Sequence, residues 1–110
     1  MSKPRRVASV IHLRPEKEEE YRRLHREVWP EVLATLSRAH ITNYSIFLHG
    51  DTLFAYYEYT GTDYEADMAT IAADEPTRRW WELTDPCQRP VEGAAEGERW
   101  VEIEEVFHLD

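Results

Sequence analysis

ITNYSIFLHGDTLFAYYEYT, residues 41–60, is the stretch on which the fold turns. Two runs rich in β-branched and aromatic residues flank His49-Gly50-Asp51, and a glycine beside an aspartate between two such runs is hairpin chemistry. In the second run Phe54 and Tyr56 fall on one side, and Leu53, Ala55, Tyr57 and Tyr59 on the other. A hairpin that is apolar on both faces needs cover on both.

Upstream, RVASVIHL from about Arg6 to Leu13 reads as another strand, with Val7, Ile11 and Leu13 on one face and Ala8 and Val10 on the other. Arg14-Pro15 ends it. Glu16, Glu18, Glu19 and Glu20 then suit the positive end of a helix dipole, and a helix is expected to about Ala39. Pro30 lacks the N–H that would bond to the Arg26 carbonyl, so a kink or break is expected just after Trp29. Downstream, Thr62 and Glu65 have the spacing of a capping box before Tyr64, Met68 and Ile71, which recur at helical spacing. Asp74-Glu75-Pro76 opens a further short helix carrying Trp80, Trp81 and Leu83, and Asp85-Pro86 stops it. Cys87 to Glu98 reads as a loop, and RWVEIEEVFHL, residues 99–109, as the last strand.

Strand, helix, strand, strand, helix, strand is the order of a ferredoxin-like α+β domain, a four-stranded antiparallel sheet with helices on one face. One such domain fills residues 1–110. The helices cover one side only, so the second apolar face calls for a partner, most simply another copy of the chain about a two-fold axis.

Composition narrows the function. A net charge of −9 disfavours nucleic acid or an anionic membrane as the main partner, while leaving neutral small molecules open. With Cys87 as the only cysteine there is no intrachain disulfide, and a reducing cytoplasm is the default compartment. The apolar run after MSKPRR is broken by His12, Arg14 and Pro15, too soon for an export signal or a membrane span. The histidines at 12, 25, 40, 49 and 108 include no pair at helical metal-ligand spacing, so no metal site is expected. No glycine-rich phosphate loop and no serine elbow occurs.

His25 is the unusual residue. At 100° per position Tyr21, Leu24, His25, Val28, Trp29, Val32 and Leu36 share one helix face, which sets a titratable ring within an apolar stripe. A buried imidazole needs partners for its ring nitrogens, and the Tyr21 hydroxyl, one turn earlier, is a candidate. A satisfied core histidine is the plain alternative to a functional one. Trp80 and Trp81 point about 100° apart, so one can pack inward while the other presents its face to a cavity, a surface that also suits the CH face of a sugar.

Tyr21, His25 and Trp29-Pro30-Glu31, then NYSIFL from Asn43, LFA from Leu53, RWW from Arg79, Thr84-Asp85 and EVFHL from Glu105 together resemble the L-rhamnose mutarotase family over nearly the whole chain. The resemblance implies a dimeric α+β barrel of ferredoxin-like subunits that interconverts the α and β anomers of L-rhamnose without a cofactor. It places the family's proton donor on His25 and its sugar-binding residues on Tyr21, Tyr44, Trp80 and Trp81. CQRPVEGAAEGERW, from Cys87, departs from the Asn-Pro-Asp-rich loop of family members. Two other readings share the fold: a cofactor-free monooxygenase of the dimeric α+β barrel class, and a non-enzymatic dimeric binding module whose aromatics are interface.

Overall fold

The computed structural model describes residues 3–110; Met1 and Ser2, which open the basic MSKPRR stretch, lie outside them. The elements are β1 (Arg5–Leu13), α1 (Glu18–Arg26), α2 (Pro30–Arg38), β2 (Ile41–His49), β3 (Thr52–Tyr59), α3 (Tyr64–Ala73), α4 (Glu75–Thr84), β4 (Gln88–Arg89) and β5 (Val101–Ile103). The sheet is antiparallel in the order β2-β3-β1-β4, with β5 also paired to β1. The α+β fold expected from the sequence is therefore present, with one change. The outer strand beside β1 is made of two short pieces, β4 against His12 and Leu13 and β5 against Ala8 to Val10.

The hairpin forms as its turn chemistry demands. His49 pairs with Thr52, leaving Gly50 and Asp51 as the two-residue turn, and Gly50 adopts a φ of 62° that a side chain would disfavour. The helix break also forms, but it starts earlier than expected: α1 ends at Arg26 and Pro30 is the first residue of α2. Proline forces the residue before it out of helical geometry, and Trp29 is extended (φ −60°, ψ 132°), so Pro30 begins a helix rather than kinking one. The cap of α3 is not the expected Thr62–Glu65 box. Asp63 is the N-cap, its carboxylate accepting from the Ala66 amide at 3.2 Å, and a carboxylate serves that position at least as well as a threonine.

The expected last strand is cut short after Ile103. Arg6 and Glu105 continue the β1–β5 register through their side chains, with nitrogen-to-oxygen distances of 3.1 and 3.3 Å. The same register would set Phe107 opposite Pro4, which has no N–H to extend the ladder. Val106, Phe107 and Leu109 are left 93, 80 and 79% exposed.

Three apolar clusters hold the elements together. Ile11, Leu13, Tyr21, Leu53 and Cys87 fill the space beneath α1, where full burial of side chains such as Ile11 and Leu13 is worth about 1.5–3 kcal/mol each. Ala39, Ile41, Tyr59 and Ile71 lie beneath α3, and Leu24, Val32 and Trp80 join α1, α2 and α4.

Candidate active site beside His25

A cavity of about 420 Å³ opens between α1 and the hairpin. Leu13, Ile46, Leu48 and Leu53 supply apolar walls, and Tyr21, Arg22, His25 and Arg26 line the α1 side. A mostly apolar cleft of this size with a few convergent polar groups is the ordinary form of a small-molecule site.

His25 is held by its own helix. Its Nδ1 lies 2.9 Å from the backbone carbonyl of Tyr21, an acceptor only, so Nδ1 carries the hydrogen. The neutral ring must then keep its lone pair on Nε2, which has no hydrogen-bond partner among the described residues and is not sealed from solvent. Burial lowers the His25 pKa below its ordinary 6.5, and the Tyr21 carbonyl, which favours the charged ring, opposes that only in part. The ring lies 4.2 Å from the Tyr21 ring and 5.4 Å edge-to-face from Trp80, which in turn meets Trp29 at 5.3 Å. The aromatic neighbours thus fix the plane of an imidazole that is neutral near pH 7 and has a free basic nitrogen.

The family model described as L-rhamnose mutarotase matches residues 6–109. The chain belongs to the L-rhamnose mutarotase family. It is 38% identical to a protein of Listeria monocytogenes named L-rhamnose mutarotase, the match covering 94% of this chain and 97% of that one. It is equally 38% identical to a protein of that name from Burkholderia cenocepacia, with the same coverage. The crystal structure of L-rhamnose mutarotase from Formosa agariphila superposes with a TM-score of 0.74 over 96% of this chain and 99% of that one at 24% identity, a likeness of fold.

Not all the residues singled out in the sequence for their match to the mutarotase family meet in the cavity. Tyr21 and His25 do. Tyr44 stands beside Tyr57 at 5.5 Å and within electrostatic reach of Tyr21; although the residue is 43% exposed, its hydroxyl end is enclosed and burial pushes its pKa up. Trp80 is 6% exposed and reaches the site only through the His25 ring, while Trp81, 39% exposed, lies outside the cavity lining.

The hydroxyl of Tyr21 does not orient His25, contrary to the expectation from spacing, because the backbone carbonyl has that task. The hydroxyl instead accepts from the Gln88 side chain at 3.3 Å. Gln88, 4% exposed, is invisible to pattern reading because it comes from a segment expected to be loop. Arg22 and Arg26 could have been found: they sit one and five positions after Tyr21 and flank His25 on the helix.

Proposed function

We propose that this chain, as a single domain, interconverts the α and β anomers of L-rhamnose or a close 6-deoxy sugar by opening and reclosing the pyranose ring in the cavity beside His25. The observation that carries the reading is the unpartnered Nε2 of a neutral imidazole lining a cleft, in a chain that belongs to the L-rhamnose mutarotase family. Nε2 takes the proton of the C1 hydroxyl. As the C1–O5 bond breaks, its electron pair goes to O5 and the C1–O1 bond becomes a carbonyl. The imidazolium then returns the proton to O5. The burial that keeps the resting ring neutral also makes the imidazolium a willing acid, so one side chain serves both transfers. Rotation about C1–C2 and the reverse steps close the ring on the other carbonyl face.

In this reading Tyr21 offers its hydroxyl to the sugar in the cavity, and Tyr44 and Trp81, which lie outside the lining, contact the part of the sugar that projects from it. Trp80 acts by backing the imidazole. The expected result is that added protein raises anomer exchange of equilibrated L-rhamnose in saturation-transfer NMR; no gain over buffer with L-rhamnose and related deoxy sugars would reject the proposal.

The same reading makes the chain a cytoplasmic homodimer. Phe47, Phe54 and Ile103 are exposed on the sheet face turned away from the helices, and the apolar tail from Val106 to Leu109 is exposed beyond it. A 13.1 kDa particle by light scattering at micromolar concentration would reject the dimer. Among the described residues no helix is long and apolar enough to cross a membrane.

A further inference from the structure

Tyr21 can face a sugar either as donor or as acceptor, and the residues behind it decide which. Gln88 is buried in β4, with its amide nitrogen 3.3 Å from the Tyr21 hydroxyl oxygen. A glutamine side chain can be turned over, and then its oxygen would face Tyr21 instead. Arg99 removes that freedom. Its Nη2 donates to Gln88 Oε1 at 3.4 Å and to the Asp85 carbonyl at 3.0 Å, and a guanidinium has no acceptor to offer the turned amide. Arg99 is itself held in place, with Asp85 Oδ1 3.6 Å from its Nε, a buried atom with no hydrogen-bond partner of its own.

We propose that Arg99 and Gln88 are positioning residues that commit the Tyr21 hydroxyl to donate its hydrogen to a sugar oxygen in the His25 cavity. This rests on the mutarotase reading above. With one lone pair engaged by the Gln88 amide, the Tyr21 hydrogen has no acceptor among the described residues, and burial raises the phenol pKa so that the proton stays on oxygen. Tyr21 thus complements His25 Nε2: a fixed donor beside a fixed acceptor, which is what a hydroxyl and a ring oxygen on the same anomeric carbon require. The site depends in this way on a part of the chain, from Cys87 to Trp100, that is remote in sequence from Tyr21. Trp100 anchors the far end of that part by packing on the cluster that contains Tyr21.

Gln88→Glu tests the assignment, because a carboxylate of the same size keeps the contact with Arg99 but can only accept from Tyr21, turning the hydroxyl hydrogen away from the cavity. The expected result is a fall in kcat/KM for anomer exchange of about tenfold, the value of one lost donated hydrogen bond. Gln88→Met, which cannot redirect the hydroxyl, is expected to lose at most about threefold. In a Tyr21→Phe background the two substitutions should have equal effects, since no hydroxyl remains to reorient. Equal losses for Gln88→Glu and Gln88→Met with Tyr21 present, or the same loss from Gln88→Glu in both backgrounds, would overturn the proposal.

A neutron structure of the unsubstituted protein reads the same assignment without activity. Deuterium on the Gln88 nitrogen aimed at the Tyr21 oxygen is expected; a Tyr21 deuteron aimed at the Gln88 oxygen would overturn it. If the unsubstituted protein fails to speed exchange, the mutarotase reading falls and the neutron result still decides the polarity of Tyr21.

Discussion

The two ends of the molecule each join a histidine to a buried tyrosine, and the proposed site lies at only one of them. Near α3, the Tyr59 hydroxyl donates to Asp67 and accepts from the Asp63 amide at 3.0 Å, and His40 Nδ1 lies 3.1 Å from the same Asp67 carboxylate. Tyr57 and Tyr64 bond to each other through their hydroxyls, and the Arg5 guanidinium sits 4.0 Å from the centre of the Tyr64 ring. Those polar groups answer one another, and none of them lines the cavity beside His25. Near α1, by contrast, His25 uses Nδ1 on its own helix and Tyr21 uses a lone pair on Gln88, and each keeps one valence in reserve beside an open cleft. Residue type does not separate a structural His–Tyr pair from a functional one. Unspent hydrogen-bonding capacity in a cavity does.

The largest expected effect breaks the comparison at its functional end. His25→Ala should slow anomer exchange by about 10²–10⁴-fold, the ordinary contribution of an acid–base group, with the fold intact by circular dichroism. His40→Ala should leave the exchange rate within about twofold, because a surface group outside the cavity has no part in the reaction. Equal slowing by the two substitutions would show that His25 has no special part in the reaction.

A middling effect is expected at the structural end. A Cβ on Gly61 would run into the Tyr59 hydroxyl and ring and the Asp67 carboxylate. Gly61→Ala should therefore lower the unfolding free energy by about 1–3 kcal/mol, as overpacking does, without changing the rate per folded molecule. Urea denaturation set beside exchange kinetics checks both halves, and unchanged stability would show that the network yields more easily than its closed bonding suggests.

The smallest effect is in pH. With the His25 pKa lowered by burial, kcat/KM should be flat above the ordinary value of 6.5 and decline on acidification with a midpoint below it. Stability follows the same sign. The unfolded chain takes up the His25 proton first, so this contribution is fully present above 6.5 and is lost as the pH falls from there through the folded pKa. A midpoint above 6.5 would contradict the burial argument and show that a negative neighbour governs the ring.

Much of this architecture was legible because it rests on local rules. Gly50 between two β-prone runs set the hairpin, Pro30 set the boundary of two helices, and the repeat of apolar positions on α1 set His25 in the buried stripe. The pairing of His25 with Tyr21 could be read for the same reason: both lie on one helix, where spacing of four residues guarantees proximity.

What the sequence left open depended on contacts between distant segments. One extra residue in β2 between Thr42 and Ser45, with Asn43 at a φ of 49°, puts Tyr44 on the same side of the sheet as Ile46, Leu48 and Tyr57, whereas uninterrupted alternation from Ile41 would have sent it to the other face. The pattern in residues 99–109 alternates like a strand, but a ladder needs a partner backbone, and the pairing with β1 stops at Ile103. Gln88 and Arg99 carry no periodic signal at all; Gln88 meets Tyr21 across 67 positions of chain, and Arg99 in turn holds Gln88. The sequence alone determined which elements form and which face of each is apolar, since those follow from neighbours a few residues apart. Only the tertiary structure decided which hydrogen bonds are spent and which stay free, because a donor is committed only when its partner arrives from elsewhere in the chain.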